Sequence, residues 1–320
     1  MKRPLASCLK NELTEFLRYK RALGFRYERP EGTVRNFDRY VRRVHPASVR
    51  RLDWRGLIGD WLARSPGRKS RSVVMDLQLV RQFCLFRRRR DPGAFVPDRQ
   101  WARPDKEAPF LPHFFSGAEI RTLLQHIAHR PGSSFQRHGH RLLLLLLYCT
   151  GLRFGEAARL RLSDLDLRRR LLWVRESKGR SRLVPFGNDL AQEFRRYLRA
   201  RGDAQPLERE ALLVSFQGKA YSTPLISHTV RQWLRRTGLK AQAGRVGPRP
   251  YDLRHSFAVE RLRRWYRGGT EVLGRLPWLS VYMGHAGILG TETYLHSTPE
   301  LMALSARRFE VRFRHLRPRR

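Results

Sequence analysis

Apolar positions recur at helical spacing from the first residues of the chain. Leu9, Leu13, Phe16 and Leu17 share one face, Tyr19 and Leu23 continue the run, and Gly24 closes it. The same period predicts helices over residues 31–44, with Val34, Phe37 and Val41 aligned, and over residues 54–62. A fourth covers residues 70–86, with Val73, Leu77, Val80 and Phe83 inward, and a basic block at residues 87–90 follows. Four short amphipathic helices with an arginine-rich exterior suit a generic bundle or a small DNA clamp. Five prolines then interrupt residues 91–112, which read as a linker or boundary, the linker proper being set at 101–112.

Helical spacing resumes near Phe114. Ser116-Gly117-Ala118-Glu119 reads as a helix start, and Leu123, Leu124 and Ile127 continue it. Residues 142–149 are almost wholly apolar and predict a buried helix ending at Thr150-Gly151. A restart over residues 152–158 places Arg153 at the corner of a helix–turn–helix junction. Glu156, three residues on, either orients that guanidinium or complements the helix dipole. Residues 163–166 read as a turn, and Leu171-Leu172-Trp173-Val174 as a strand. Residues 177–181 form a hairpin tip and 182–185 the return strand. Lys178 at that tip is either a solvated cation or a mobile proton donor over a phosphate. Helices follow over residues 189–198 and 227–237. Arg231, Arg235 and Arg236 make the second of these basic, as a solvated face or a DNA-contacting one. After Pro250 a helix is expected over about 253–266. Gly268-Gly269 ends it, and a further helix over 270–282 is stopped by Gly284, which exposes His285. A last helix runs over 299–309. The fold class is therefore mainly α with a small β-hairpin. The expected organisation is a helical domain (1–100), a linker (101–112), a mixed α+β domain (113–310) and a basic tail (311–320).

Charge narrows the partner. The chain has 320 residues and 66 Lys+Arg against 28 Asp+Glu, a formal net charge of +38. A surplus of this size attracts polyanions, nucleic acid first among them. No apolar run reaches the 18 residues a membrane span needs, so no membrane partner is expected. Cys8, Cys84 and Cys149 form neither a disulfide framework nor a zinc pattern. The opening Met-Lys-Arg-Pro lacks a signal-peptide core, which leads to a cytoplasmic expectation. His126, His129, His138 and His140 lie close together, but no carboxylate or cysteine joins them at ligand spacing. They are read as solvated or phosphate-facing, with no metal and no cofactor.

Candidate chemistry gathers between Tyr251 and His296. Arg254 can grip an anionic oxygen through paired donors. His285 can donate to a second oxygen or move a proton. The Tyr294 hydroxyl becomes a nucleophile where a cationic pocket lowers its pKa. Together these groups suit a phosphodiester.

The order Thr150-Gly151-Leu152-Arg153 with Glu156, Lys178-Gly179, Asp252-Leu253-Arg254-His255-Ser256-Phe257-Ala258, Met283-Gly284-His285 and Tyr294 resembles the tyrosine recombinase, or phage integrase, family. The likeness covers residues 110–310, and the helical N-terminal part is similar to that family's core-binding domain. The segment Pro277–Ala286 looks like that of recombinases on bacterial transposable elements. The resemblance implies a DNA recombinase or integrase that cuts and rejoins double-stranded DNA through a 3′-phosphotyrosyl link, as a homotetramer and without metal. It implies that Arg153 and Arg254 hold the scissile phosphate, Lys178 protonates the leaving 5′ oxygen, His285 binds the phosphate and Tyr294 attacks. Glu156 would support the arginines. One departure stands out: the family has histidine where this chain has Tyr251, a weak proton shuttle with an ordinary pKa of about 10. His255 is expected to point elsewhere on its helix, and His296 has no assigned role. A type IB topoisomerase, a binding protein that no longer cuts, and an RNA-binding protein are the rival readings.

Overall fold

The computed structural model describes residues 4–25, 27–44, 53–64, 67–102, 112–177, 180–244, 246–285, 287–292, 294–295 and 298–312. The chain divides into two compact units, Met1–Phe110 and Leu111–Arg320.

The first unit contains α1 (Lys10–Ala22), α2 (Glu28–Val44), α3 (Trp54–Ala63) and α4 (Ser70–Arg88). Their apolar stripes meet in one core. Leu13, Phe16, Val34, Phe37, Ile58, Trp61, Leu77, Val80 and Phe83 are all buried in it. Gly24 follows α1 with φ +84°, a left-handed conformation that a glycine takes at no steric cost. Asp38 on α2 accepts from the Ala6 and Ser7 amides and the Ser7 hydroxyl, tying down the chain before α1. Part of the proline-interrupted stretch joins this core. Ala94 is buried, and Phe95, Val96 and Trp101 pack on this core. The prolines there bend a segment that carries its own apolar anchors. Residues 103–111 lie outside the described residues.

In the second unit come α5 (Gly117–Ala128), α6 (Ser134–Thr150) and α7 (Phe154–Ala158). Next are β1 (Leu165–Asp166), β2 (Leu171–Ser177) and β3 (Arg180–Pro185), then α8 (Asn188–Ala204) and α9 (Thr223–Arg236). The chain closes with α10 (Asp252–Arg267), α11 (Leu276–Met283), α12 (Leu289–Glu292) and α13 (Pro299–Arg312). Ser116 and Glu119 form a reciprocal capping box at α5. A second box, Ser133 with Gln136, starts α6 two turns before the apolar run that announces it. The three strands form an antiparallel sheet in the order β1-β2-β3, with Leu172 opposite Val184 and Val174 opposite Arg182. The expected turn at residues 163–166 thus ends in a third strand, too short to show periodicity. Residues 270–282 do not form one helix. A 3-10 turn at Leu273–Arg275 precedes α11, and Pro277 sits in its first turn, where the missing N–H costs nothing.

The centre of this unit is α6. Leu142, Leu143, Leu144, Leu146 and Leu147 are fully buried, and the helix packs on α5, α8 and α10. A smaller core of Phe257, Leu262, Leu276, Met283, Tyr294 and Leu301 joins α10, α11 and the segments after it. No helix among the described residues is long and apolar enough to cross a membrane.

Candidate active site

The rigid approach of α6 sets the first arginine. Gly151 caps that helix with φ +61°, and a Cβ there would meet the Phe257 ring at 2.6 Å, so the turn needs glycine on two counts. Arg153 follows as the residue before α7. Its backbone N–H donates to Glu156 at 2.8 Å, and its Nη1 donates to the same carboxylate at 2.8 Å. Glu156 therefore accepts from the backbone N–H before α7 and from the Arg153 guanidinium at once.

Glu156 is 3% exposed and holds a second arginine that the sequence reading missed. Arg182 on β3 donates from Nη1 and Nη2 to its two oxygens at 3.0 and 2.9 Å, a bidentate pair. Strand alternation carried the signal: Arg182 shares a face with buried Val184, and an arginine on an inward face needs a partner. Arg254, 2% exposed, lies third, with Nη1 4.0 Å from Glu156.

All three guanidiniums converge on the end of α11. Arg182 Nε donates to the Tyr282 carbonyl at 2.7 Å, Arg254 Nη2 to Met283 at 2.6 Å, and Arg153 Nη2 to Gly284 at 2.7 Å. These successive carbonyls belong to a helix C-terminus, which lacks intrahelical donors and carries negative partial charge. Arg254 also donates to the Gly151 carbonyl. Gly284 ends the helix with φ +65°, and a Cβ there would sit 2.6 Å from Arg182 Nη1 and 3.3 Å from Arg153 Nη1.

Past Gly284, His285 Nδ1 lies 2.7 Å from the Thr291 hydroxyl, and Thr291 is fully buried on α12. The His285 ring stacks on Tyr294 with centroids 6.3 Å apart. Tyr294 is 5% exposed. Its environment corrects one expectation: burial pushes the phenol pKa above 10, and Arg254 and Arg153 only partly oppose the rise. The arginine-lined pocket does not by itself make a phenolate.

A second correction concerns His255. Far from pointing elsewhere, its Nδ1 lies 3.0 Å from the Tyr294 hydroxyl. Tyr251 meets the His255 ring edge-on at 5.3 Å and the Phe154 ring at 6.0 Å. Tyr251 and His255 are four residues apart around the start of α10 and so share a side, the spacing that could have found the histidine.

The structure thus brings Arg153, Glu156, Arg254, His285 and Tyr294 together and sets Tyr251 at their edge. Lys178 and His296 lie outside the described residues. Arg231 and Arg235 are half-buried on α9, Arg236 is exposed, and none makes a described contact with the cluster. Of the four clustered histidines, His140 packs edge-on against Trp233, and burial pushes its pKa down to about 4. His129 bonds the Gln125 carbonyl of its own helix.

Comparison with known proteins fits this geometry. Residues 113–300 match the model of the phage integrase family. A relative from Sinorhizobium fredii, y4rB, named as an integrase/recombinase, is 30% identical over 320 residues, 96% of this chain and 98% of the relative. The tyrosine recombinase XerA of Thermococcus kodakarensis is 32% identical over 276 residues, 84% of this chain and 86% of that protein. The crystal structure of the XerH site-specific recombinase bound to its palindromic difH substrate, a post-cleavage complex, shares the fold. It superposes with a TM-score of 0.66 at 16% identity, covering 97% of this chain and all of that one. The chain belongs to the phage integrase family and is a tyrosine-type site-specific DNA recombinase.

Proposed function

We propose that this recombinase cuts double-stranded DNA with Tyr294, forming a 3′-phosphotyrosyl link and a free 5′ hydroxyl. A 5′ hydroxyl from a partner duplex then attacks that link, so the strands are rejoined without an external energy source. The observation that supports this most is the burial of the Tyr294 phenol within electrostatic reach of Arg254 and Arg153, two arginines a hundred residues apart in sequence. Backbone carbonyls orient both guanidiniums, and in this reading the scissile phosphate meets them beside the Tyr294 hydroxyl. His285, held by Thr291, donates to a phosphate oxygen. Lys178, which follows β2 in sequence, delivers the proton to the leaving 5′ oxygen in this reading. Glu156 offsets the charge of the arginines before DNA arrives, and Tyr251 shapes the edge of the pocket.

The arginines supply the charge stabilisation that a metal gives in other phosphoryl-transfer sites. DNA is the substrate in this reading, and four protomers on two duplexes are the working assembly. The first unit and the basic face of α9, with Arg231, Arg235 and Arg236, contact the DNA backbone.

The test is covalent capture on a nicked duplex taken from the flanks of the gene. Wild-type protein is expected to form an adduct that survives denaturation. Tyr294→Phe should bind the same DNA and capture none; capture by that variant would overturn the nucleophile assignment. Arg153→Ala and Arg254→Ala should each cut ~10²–10³ times more slowly, the usual loss for one charge-stabilising donor.

A further inference from the structure

The phenol needs a proton acceptor. Burial keeps Tyr294 protonated across the neutral range, so the oxygen becomes a nucleophile only as its proton leaves. One described ring nitrogen is placed to take it. His255 Nδ1 stands 3.0 Å from the Tyr294 hydroxyl, within the reach a general base requires. The His255 ring is wedged between two tyrosines, 5.3 Å from Tyr251 and 5.5 Å from Tyr294. Its backbone lies in the first turn of α10, next to Arg254, whose two carbonyl acceptors fix that turn.

We propose that His255 is the general base of DNA cleavage: Nδ1 takes the phenolic proton as Tyr294 Oη bonds to phosphorus, and returns it when the strand is rejoined. This rests on Tyr294 being the nucleophile. As the Oη–P bond forms, the P–O5′ bond breaks, the phenolic proton passes to Nδ1, and the 5′ oxygen takes its own proton from the Lys178 ammonium. The reverse step restores every proton, so no other reactant is consumed. The role requires the tautomer with its proton on Nε2.

The surroundings set when this base works. Burial lowers the His255 pKa below its ordinary value near 6.5, Arg249 before α10 and Arg254 push it the same way, and Asp252 opposes them. Tyr251 on its own helix and Tyr294 from the opposite segment are the other titratable groups that face it. The imidazole is therefore neutral at pH 7 and able to accept. An arriving phosphodiester anion favours the imidazolium, so the base strengthens when substrate is bound.

The experiment is a pH–rate profile of covalent capture on the nicked duplex. Wild-type cleavage should be flat above neutrality and fall in acid, as the pH drops through the lowered His255 pKa and the imidazole is protonated. His255→Asn keeps an acceptor near Tyr294 but cannot take the proton. It should cut ~10² times more slowly or worse at pH 7, with a rate that climbs as hydroxide replaces the base. A substrate with sulfur in place of the 5′ bridging oxygen needs no proton on its leaving group. It should leave the His255→Asn defect unchanged while it rescues Lys178→Ala. A wild-type rate in His255→Asn, or its rescue by the sulfur substrate, overturns the proposal. If the asparagine variant fails to bind DNA, His255→Ala with added imidazole decides: restored capture supports the role and no restoration overturns it. Tyr294→Phe in the same assay tests the nucleophile separately, since its loss of capture stands whatever the histidine does.

Discussion

Three guanidiniums meet around one carboxylate in the catalytic unit, and the balance of charge there decides what each substitution costs. Glu156 is buried with Arg153 and Arg182 bonded to it and Arg254 at 4.0 Å. Glu156→Ala leaves those cations facing one another in a low-dielectric site. The loss should be about 3–5 kcal/mol of stability, read by urea denaturation. Glu156→Gln retains an acceptor and should cost less. Much of this was legible: Arg153, Glu156, Arg254, His285 and Tyr294 stand near element ends in an order the sequence displays. Arg182 was not read and His255 was aimed away from the site, for different reasons. Arg182 passes for a surface arginine unless the inward face of β3 is identified. His255 was judged by its divergence from Arg254, whereas its real partner arrives from 39 residues downstream. Local periodicity carries no information about that meeting.

At the scale of elements, chain reversals do more than the helices they join. Gly284→Ala would force a left-handed backbone on a residue with a Cβ, roughly 1–2 kcal/mol. It would also push that Cβ against the Arg182 and Arg153 guanidiniums. Cleavage should fall further than the melting temperature would suggest, since the displaced groups are the ones proposed to hold phosphate; parallel melting and capture assays would check it. Ser116→Ala is the contrast. It removes the α5 capping box at a cost of ~1 kcal/mol and should leave the cleavage rate of folded protein unchanged. Long helices were read within a turn or two of their ends. The misses came where a cap, not an apolar stripe, sets the boundary, as at Ser133, where two residues suffice for a strand, as at β1, or where a 3-10 turn and a proline restart the helix, as before α11.

For the whole molecule, the surplus of 38 positive charges acts at long range. Self-repulsion penalises the compact free protein, so its melting temperature should rise with added salt. DNA affinity should move the opposite way. If six or more phosphates are contacted, binding to unrelated duplex should weaken by about 10³-fold or more between 50 and 200 mM salt. A fluorescence anisotropy titration at several salt concentrations measures that slope, and a flat response would remove the phosphate backbone as the main source of affinity. The two cores also explain why composition alone could indicate a DNA-binding protein and nothing finer: charge is spread along the chain, while chemistry is confined to a few junctions.

The end of α11 has a consequence for control. The carbonyls of Tyr282, Met283 and Gly284 each accept from one arginine, and the same polypeptide runs on to deliver Tyr294. Any displacement that carries this strap outward withdraws the acceptors from all three cations together. In the proposed mechanism, an outward shift of the end of α11 would therefore loosen the arginines that hold phosphate while it moves the start of the chain that leads to Tyr294.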